Sequence, residues 1–125
     1  MCLLDSVVTW TDMAIQCSAV SHLDPANPLR RDGQLSAVCG IEYALQAAAV
    51  HGALRSGTPQ PLGYVAALRL TTLADGRLDD PALGVLAAGA VREHGDSSGF
   101  VYAISLHAAD GRVLLEGRAT VVLPS

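Results

Sequence analysis

A histidine that titrates near neutral pH and a glutamate set on an apolar stripe are the two side chains whose types and spacing suit proton-transfer chemistry. His22 stands at the head of a polar, proline-punctuated loop, SHLDPANPLRRDG, and Glu42 follows on the alanine-rich stretch beyond it. An imidazole takes a proton at neutral pH with no large shift of its pKa. A carboxyl gives one there only if desolvation raises its pKa, which an apolar helix face would do. Glu42 is the only acid between Asp32 and Asp75, and its neighbours at helical spacing are Val38, Cys39, Leu45, Gln46 and Ala49, so the pattern predicts a desolvated carboxyl. Free N–H groups at a helix N-terminus beside this pair would meet a developing oxyanion.

Each residue also has a plainer reading. Alone, His22 is an ordinary loop histidine after a strand, and Glu42 a helix acid paired with an arginine. Gln46, one turn past Glu42, packs or orients it. Asn27-Pro28 is a turn formula and Gly33 a backbone hinge. His51 lies about half a turn around the helix from Glu42 and faces elsewhere. His51, with His94 and His107 on strands, reads as structural or solvent-facing, while Trp10 and Tyr43 read as packing residues. Cys39 reads as a small buried hydrophobe, or as part of the lining of a cavity beside Glu42.

The elements that must position these groups follow from pattern. Residues 35–54 are rich in strong helix formers and free of proline, and Arg55-Ser56-Gly57 with Pro59 supplies a cationic last turn, a glycine stop and a breaker. At about 1.5 Å per residue this predicts a rod of roughly 30 Å, a central helix. Ala44, Ala47, Ala48, Ala49 and Ala53 leave room for close approach by a sheet.

Residues 2–10 and 13–20 are β-rich runs joined at Thr11-Asp12, a first hairpin. The chain thus opens almost inside a strand, and native residues upstream of Met1 are an expectation. Beyond an extended Pro59-Gln60-Pro61 link come four apolar runs, at 62–73, 83–91, 99–108 and 113–123. Asp75-Gly76 and Asp110-Gly111 mark tight hairpin turns, and residues 95–99 a third turn, so successive strands are expected to run antiparallel. Val113, Leu115, Ala119 and Val121 alternate with Arg112, Glu116, Arg118 and Thr120, one face packed and one wet. The economical architecture is α+β: a curled antiparallel sheet of about six strands around one long helix, in one domain spanning 1–125.

Composition removes several classes of function. With 125 residues, half of them apolar, a net charge of −4 and no basic cluster, neither nucleic acid nor an anionic membrane surface is an expected partner. No apolar run is long enough for a membrane span, and the N-terminus lacks a secretory pattern, so the cytoplasm is the expected location. Cys2, Cys17 and Cys39 are odd in number and share no metal-ligand spacing, so neither a disulfide framework nor a metal site is indicated. All eight basic residues are arginine.

His22, Asn27-Pro28, Gly33, Glu42 and Gln46, in that order, followed by strands ending in LLEGRATVVLP, carry a resemblance over the whole chain. The chain resembles the hot-dog-fold 3-hydroxyacyl-acyl-carrier-protein dehydratases, and is most similar to the smaller dehydratase-like proteins of aryl-polyene pathways. The resemblance implies dehydration of a β-hydroxyacyl thioester, held on the phosphopantetheine of an acyl carrier protein, to the trans-2-enoyl thioester. His22 would be the catalytic histidine and Glu42 the acid. Gly33, or a residue shortly after it, would offer a backbone N–H to the thioester carbonyl, with Asn27 and Gln46 also on the substrate side. No metal or redox cofactor is implied. In that family the histidine and carboxylate of one site come from different subunits, which implies a homodimer or a heterodimer with a related hot-dog subunit. Asp32 stands where the family has proline, and the span from Gly33 to Glu42 is longer by about one helical turn.

Two other classes stay open. A hot-dog thioesterase would use the helix carboxylate to activate water and would not need His22. A non-catalytic acyl-binding subunit would pair with an active dehydratase.

Overall fold

The computed structural model describes residues 2–57, 64–96 and 98–122, with the side chains of Ser56 and Tyr64 left undescribed. The Pro59-Gln60-Pro61 link, the first residues of the 62–73 run, Ser97 and Leu123 lie outside the described residues.

The strands are β1 (Ser6–Trp10), β2 (Ala14–Ala19), β3 (Tyr64–Leu73), β4 (Leu86–Gly95), β5 (Gly99–His107) and β6 (Val113–Val122), with the helix α1 (Gly40–Ser56) between β2 and β3. They form one antiparallel sheet in the order β1-β2-β4-β5-β6-β3. α1 packs chiefly on β4 and β5, flanked by β2 and β6. The α+β architecture is as the sequence predicts.

The buried residues of α1 explain its placement. Gly40, Tyr43, Ala44, Ala47, Ala48 and His51 recur at helical spacing and are all buried, so one face is inside and the residues between them look out. A β-carbon at Gly40 would come within 2.9 Å of Leu106 Cδ2, so glycine lets the helix start press onto β5. Leu35, Leu78, Leu86, Ile104, Leu106 and Leu115 fill the space between helix and sheet. At the other end Gly57, at φ 70°, donates its N–H to the Ala53 carbonyl at 3.1 Å, the expected left-handed stop.

Three expectations are corrected. The helix starts at Gly40 rather than at residue 35, after a single 3-10 turn over Ala37–Cys39. Leu35 is held extended because its N–H donates to Asp79 Oδ1 at 2.9 Å and its carbonyl accepts from Leu78 N–H at 2.8 Å. Ser36 then accepts from Val38 N–H and begins the turn. Second, Asp75-Gly76 does not make a β3–β4 hairpin. Gly76 turns at φ 98°, but the chain then pairs with the segment before the helix and passes through a 3-10 turn over Pro81–Leu83, capped by Asp80. It enters β4 between β2 and β5, across the sheet from β3. Asp110-Gly111 does close the β5–β6 hairpin, with Gly111 at φ 91°. Third, Trp10 does not pack: it is 44% exposed, and all of β1 is open to solvent.

Candidate active site

His22 sits in a 3-10 turn, Ser21–Leu23, that begins just beyond β2. It is not an ordinary loop histidine. The ring is wholly buried, and neither nitrogen has a hydrogen-bond partner of normal geometry among the described residues. Burial pushes its pKa below the usual imidazole value, and the Arg30 guanidinium adds to this. The backbone at Gly84 faces the ring without normal hydrogen-bond geometry and, with the Asp5 carboxylate, opposes the shift. The result at neutral pH is a neutral imidazole with both nitrogens uncommitted, the form a base requires.

The turn carrying His22 is held by polar bonds that the sequence reading missed. Tyr43 Oη lies 2.8 Å from Ser21 Oγ and accepts from Asn27 Nδ2 at 3.1 Å. Ser21 Oγ donates to the Leu3 carbonyl at 2.7 Å, and Asn27 Nδ2 to the Ser21 carbonyl at 3.0 Å. Asn27 Oδ1 accepts from Leu29 N–H at 2.9 Å. Buried Asn27 therefore spends its amide on the loop itself and on Tyr43 of α1. Arg30 spreads its donors over three carbonyls, those of Asp24, Gly33 and His22, and lies 3.6 Å from the carboxylate of Asp79. Asp79 is bound in turn by Arg77, whose guanidinium and the Leu35 N–H hold its carboxyl well below the usual carboxylate range. Tyr43 looked like packing, and Arg30 and Asp79 lie 49 residues apart in sequence (79 − 30), so no local pattern joined them.

Gly33 occupies the tip of a tight turn. Asp32 and Gly33 both have positive φ, 53° and 75°, and Arg31 and Gln34 exchange two backbone hydrogen bonds of 2.8 and 2.9 Å across them. Residues 31–34 are exposed. This turn, the extended Leu35-Ser36 and the 3-10 turn together carry the chain from Gly33 to the start of α1.

Glu42 is in the first turn of α1, on the outward side, and is exposed. The expectation of a desolvated carboxyl therefore fails within one chain, because Val38 and Ala49 on its stripe are exposed and Cys39, Leu45 and Gln46 only half-buried. Its carboxylate makes no hydrogen bond or ion pair with any described residue, His22 included. Gln46, one turn on, accepts from Leu3 N–H through Oε1 at 2.8 Å and so ties the helix to the N-terminal segment.

A cavity of about 300 Å³ opens where the loop meets the Asp75-Gly76 turn, lined in part by Leu29, Ser36, Cys39 and Arg77. Cys39 is half-buried there, and neither His22 nor Glu42 contributes to its lining. Among the described residues no cluster of histidine, cysteine or acid could hold a metal ion, and no helix is long and apolar enough to cross a membrane.

One long helix inside a curled six-stranded antiparallel sheet of this strand order is the hot-dog fold. The model of the ApeP-like family, described as ApeP dehydratase, matches residues 1–125, and the chain belongs to that family. Among solved structures, the chain is similar to the dehydratase heterocomplex ApeI:P from Xenorhabdus doucetiae, with a TM-score of 0.82 and 21% identity over 99% of this chain and 84% of that one. It is also similar to AziG of S. sahachiroi, with a TM-score of 0.67 and 15% identity over 94% and 89% of the two chains. A mutant of the thioesterase PA1618 from Pseudomonas aeruginosa gives 0.67 and 20% over 95% and 81%. At these identities the structural likenesses show the fold alone. No curated protein sequence matches the chain.

Proposed function

We propose that this protein dehydrates a 3-hydroxyacyl thioester, carried on the phosphopantetheine of a cytoplasmic acyl carrier protein, to the trans-2-enoyl thioester of an aryl-polyene or fatty-acid-like pathway. Beyond family membership, one observation carries the reading. His22 is a buried, neutral imidazole with two uncommitted nitrogens, while Glu42 stands unpaired on the outer face of the helix. One chain thus holds a base facing in and an acid facing out.

In the reaction a His22 nitrogen takes the C2 proton, and the electron pair moves onto the thioester oxygen as an enolate. The enolate collapses to the C2=C3 double bond, the C3–O bond breaks, and Glu42 supplies the proton with which the hydroxyl leaves as water. The histidine proton then returns to the carboxylate through solvent. A backbone N–H at or after Gly33 meets the enolate charge, and Asn27 and Gln46 brace the segments around the substrate. This chemistry calls on a base and an acid and on no metal or redox group.

Because Glu42 does not reach His22 within one chain, the reading requires two chains, with the carboxyl of one covered by the other. That covering supplies the desolvation the acid needs. Edge strand β3 exposes Val65, Leu68 and Leu73 and offers a backbone edge for a second hot-dog chain. The likeness to a dehydratase heterocomplex favours a second reading, in which this chain is the acyl-binding partner of an active, related subunit.

Incubation with a 3-hydroxyacyl thioester on a holo carrier protein separates these readings. Enoyl thioester is the expected product. Free thiol would point to a thioesterase, and unchanged substrate that turns over only when a related subunit is added would support the partner reading.

A further inference from the structure

We infer that Tyr43 is a positioning residue for His22, acting through a closed ring of hydrogen bonds that fixes the turn on which the histidine sits. The inference rests on the reading of His22 as the base.

Tyr43 is wholly buried on the inner face of α1, one residue after Glu42. Its hydroxyl has two partners, Ser21 Oγ and Asn27 Nδ2. The donor at each bond is forced. A carbonyl only accepts, so the Ser21 proton goes to the Leu3 carbonyl and Ser21 Oγ is left to accept. Tyr43 therefore donates to Ser21, and its remaining acceptor site takes one proton of the Asn27 amide, which also donates to the Ser21 carbonyl. The ring closes with one arrangement of protons and no spare donor in the hydroxyl groups, which suits a rigid mount.

His22 needs such a mount. With no hydrogen bond of normal geometry among the described residues, its imidazole is aimed chiefly by the backbone of the Ser21–Leu23 turn and by packing, including the backbone at Gly84. Arg30 fixes the His22 carbonyl from the far side at 3.1 Å. Two ties, Tyr43 through Ser21 and Arg30 through the carbonyl, thus hold the backbone on either side of the ring. Displacing a catalytic group by a fraction of an ångström weakens proton transfer far more than substrate binding.

The test is Tyr43→Phe, which keeps the aromatic packing and deletes the hydroxyl. It is followed by steady-state kinetics with a 3-hydroxyacyl thioester and by NMR titration of the His22 ring. The expected result is a kcat reduced about tenfold with KM within about twofold. The His22 titration should move up toward the ordinary imidazole value, because a loosened turn admits water while the charged groups that act on the ring, Asp5 and Arg30, stay in place. Ser21→Ala breaks the same ring from the other side and should reproduce both changes, and the double variant should add little to either alone. If Tyr43→Phe fails to fold, Ser21→Ala carries the test. Parental kcat and an unmoved His22 titration, with only a lower melting temperature, would overturn the inference and leave Tyr43 a structural residue. A parent chain with no dehydration activity would instead refute the proposed reaction, and the His22 titration would still decide whether Tyr43 positions the ring.

Discussion

His51 and Tyr102 meet in the core with the Tyr102 hydroxyl 2.9 Å from His51 Nδ1, and the other ring nitrogen, Nε2, lies 2.9 Å from the Thr11 carbonyl. A carbonyl cannot donate, so Nε2 carries a proton and donates to Thr11, which leaves Nδ1 to meet the tyrosine hydroxyl. The imidazole thereby pins α1 both to β5 and to the β1–β2 turn, and Arg55 repeats the tie one turn on by donating to the Asp12 carbonyl at 2.8 Å. His51→Ala removes both bonds, takes a partner from the buried Tyr102 hydroxyl and opens a cavity in the core. The expected cost is about 2–4 kcal/mol in urea unfolding. A loss below about 1 kcal/mol would mean that water or relaxation replaces the ring.

How much of this was legible in the sequence depends on how far apart the interacting residues lie. Alanine-rich composition and Gly57 announced α1, and Asp110-Gly111 announced the β5–β6 hairpin, because those signals act within a few residues. Asp75-Gly76 has the same local chemistry and makes no hairpin, since strand pairing is settled by long-range burial that places β4 between β2 and β5. The helix start was misplaced for the same reason: Asp79, 44 residues away, takes the Leu35 N–H. His22 and Glu42 were picked out by residue type and order. Their environments were not readable, because His22 is enclosed by distant segments such as that of Gly84 and Glu42 falls between the buried positions of its helix.

For His22 the sign of the pH dependence follows from burial. Its folded pKa is depressed, so the unfolded chain binds that proton more readily. Stability is then full above the ordinary imidazole value of about 6.5 and falls as pH drops through it toward the folded value. His22→Ala should reduce dehydration by at least about a hundredfold and flatten this acid-side loss of stability. Because the ring is buried, the variant should also lose about 1–3 kcal/mol at pH 7. The acid limb of kcat/KM for the parent should fall below the ordinary imidazole range. A limb centred at or above it would remove His22 as the base.

Asp79 predicts the acid behaviour of the loop. The Arg77 guanidinium first, then the Leu35 N–H, hold its carboxyl far down, so its contribution is present above the ordinary carboxylate value of about 4 and is lost as acid protonates it. Asp79→Asn keeps an acceptor for Leu35 and deletes the charge facing Arg77 and Arg30. The variant should melt below the parent at pH 7, and the gap should close as pH falls below about 3. Added salt should narrow the gap at pH 7 as well, since Arg77 is half exposed. A gap that is independent of both pH and salt would show that the side chain acts by shape rather than charge.

Glu42 is where the one-chain structure and the proposed chemistry pull apart, and Glu42→Gln tests both. In a single chain the carboxylate is exposed and unpaired, so replacing it by an amide of the same shape should leave folding stability unchanged. In the proposed pair the carboxyl would be covered, and there an amide costs less to bury than a charge. Pairing should therefore be as tight as in the parent or tighter, measured as the dissociation constant by sedimentation. The amide has no proton to transfer, so dehydration and the reverse hydration should be lost together, while an acyl-pantetheine analogue should bind about as well as before. Retained turnover would show that Glu42 is not the acid. Weakened pairing with turnover reduced only in proportion would make it an interface charge, and this chain would then be the acyl-binding partner of another subunit's chemistry.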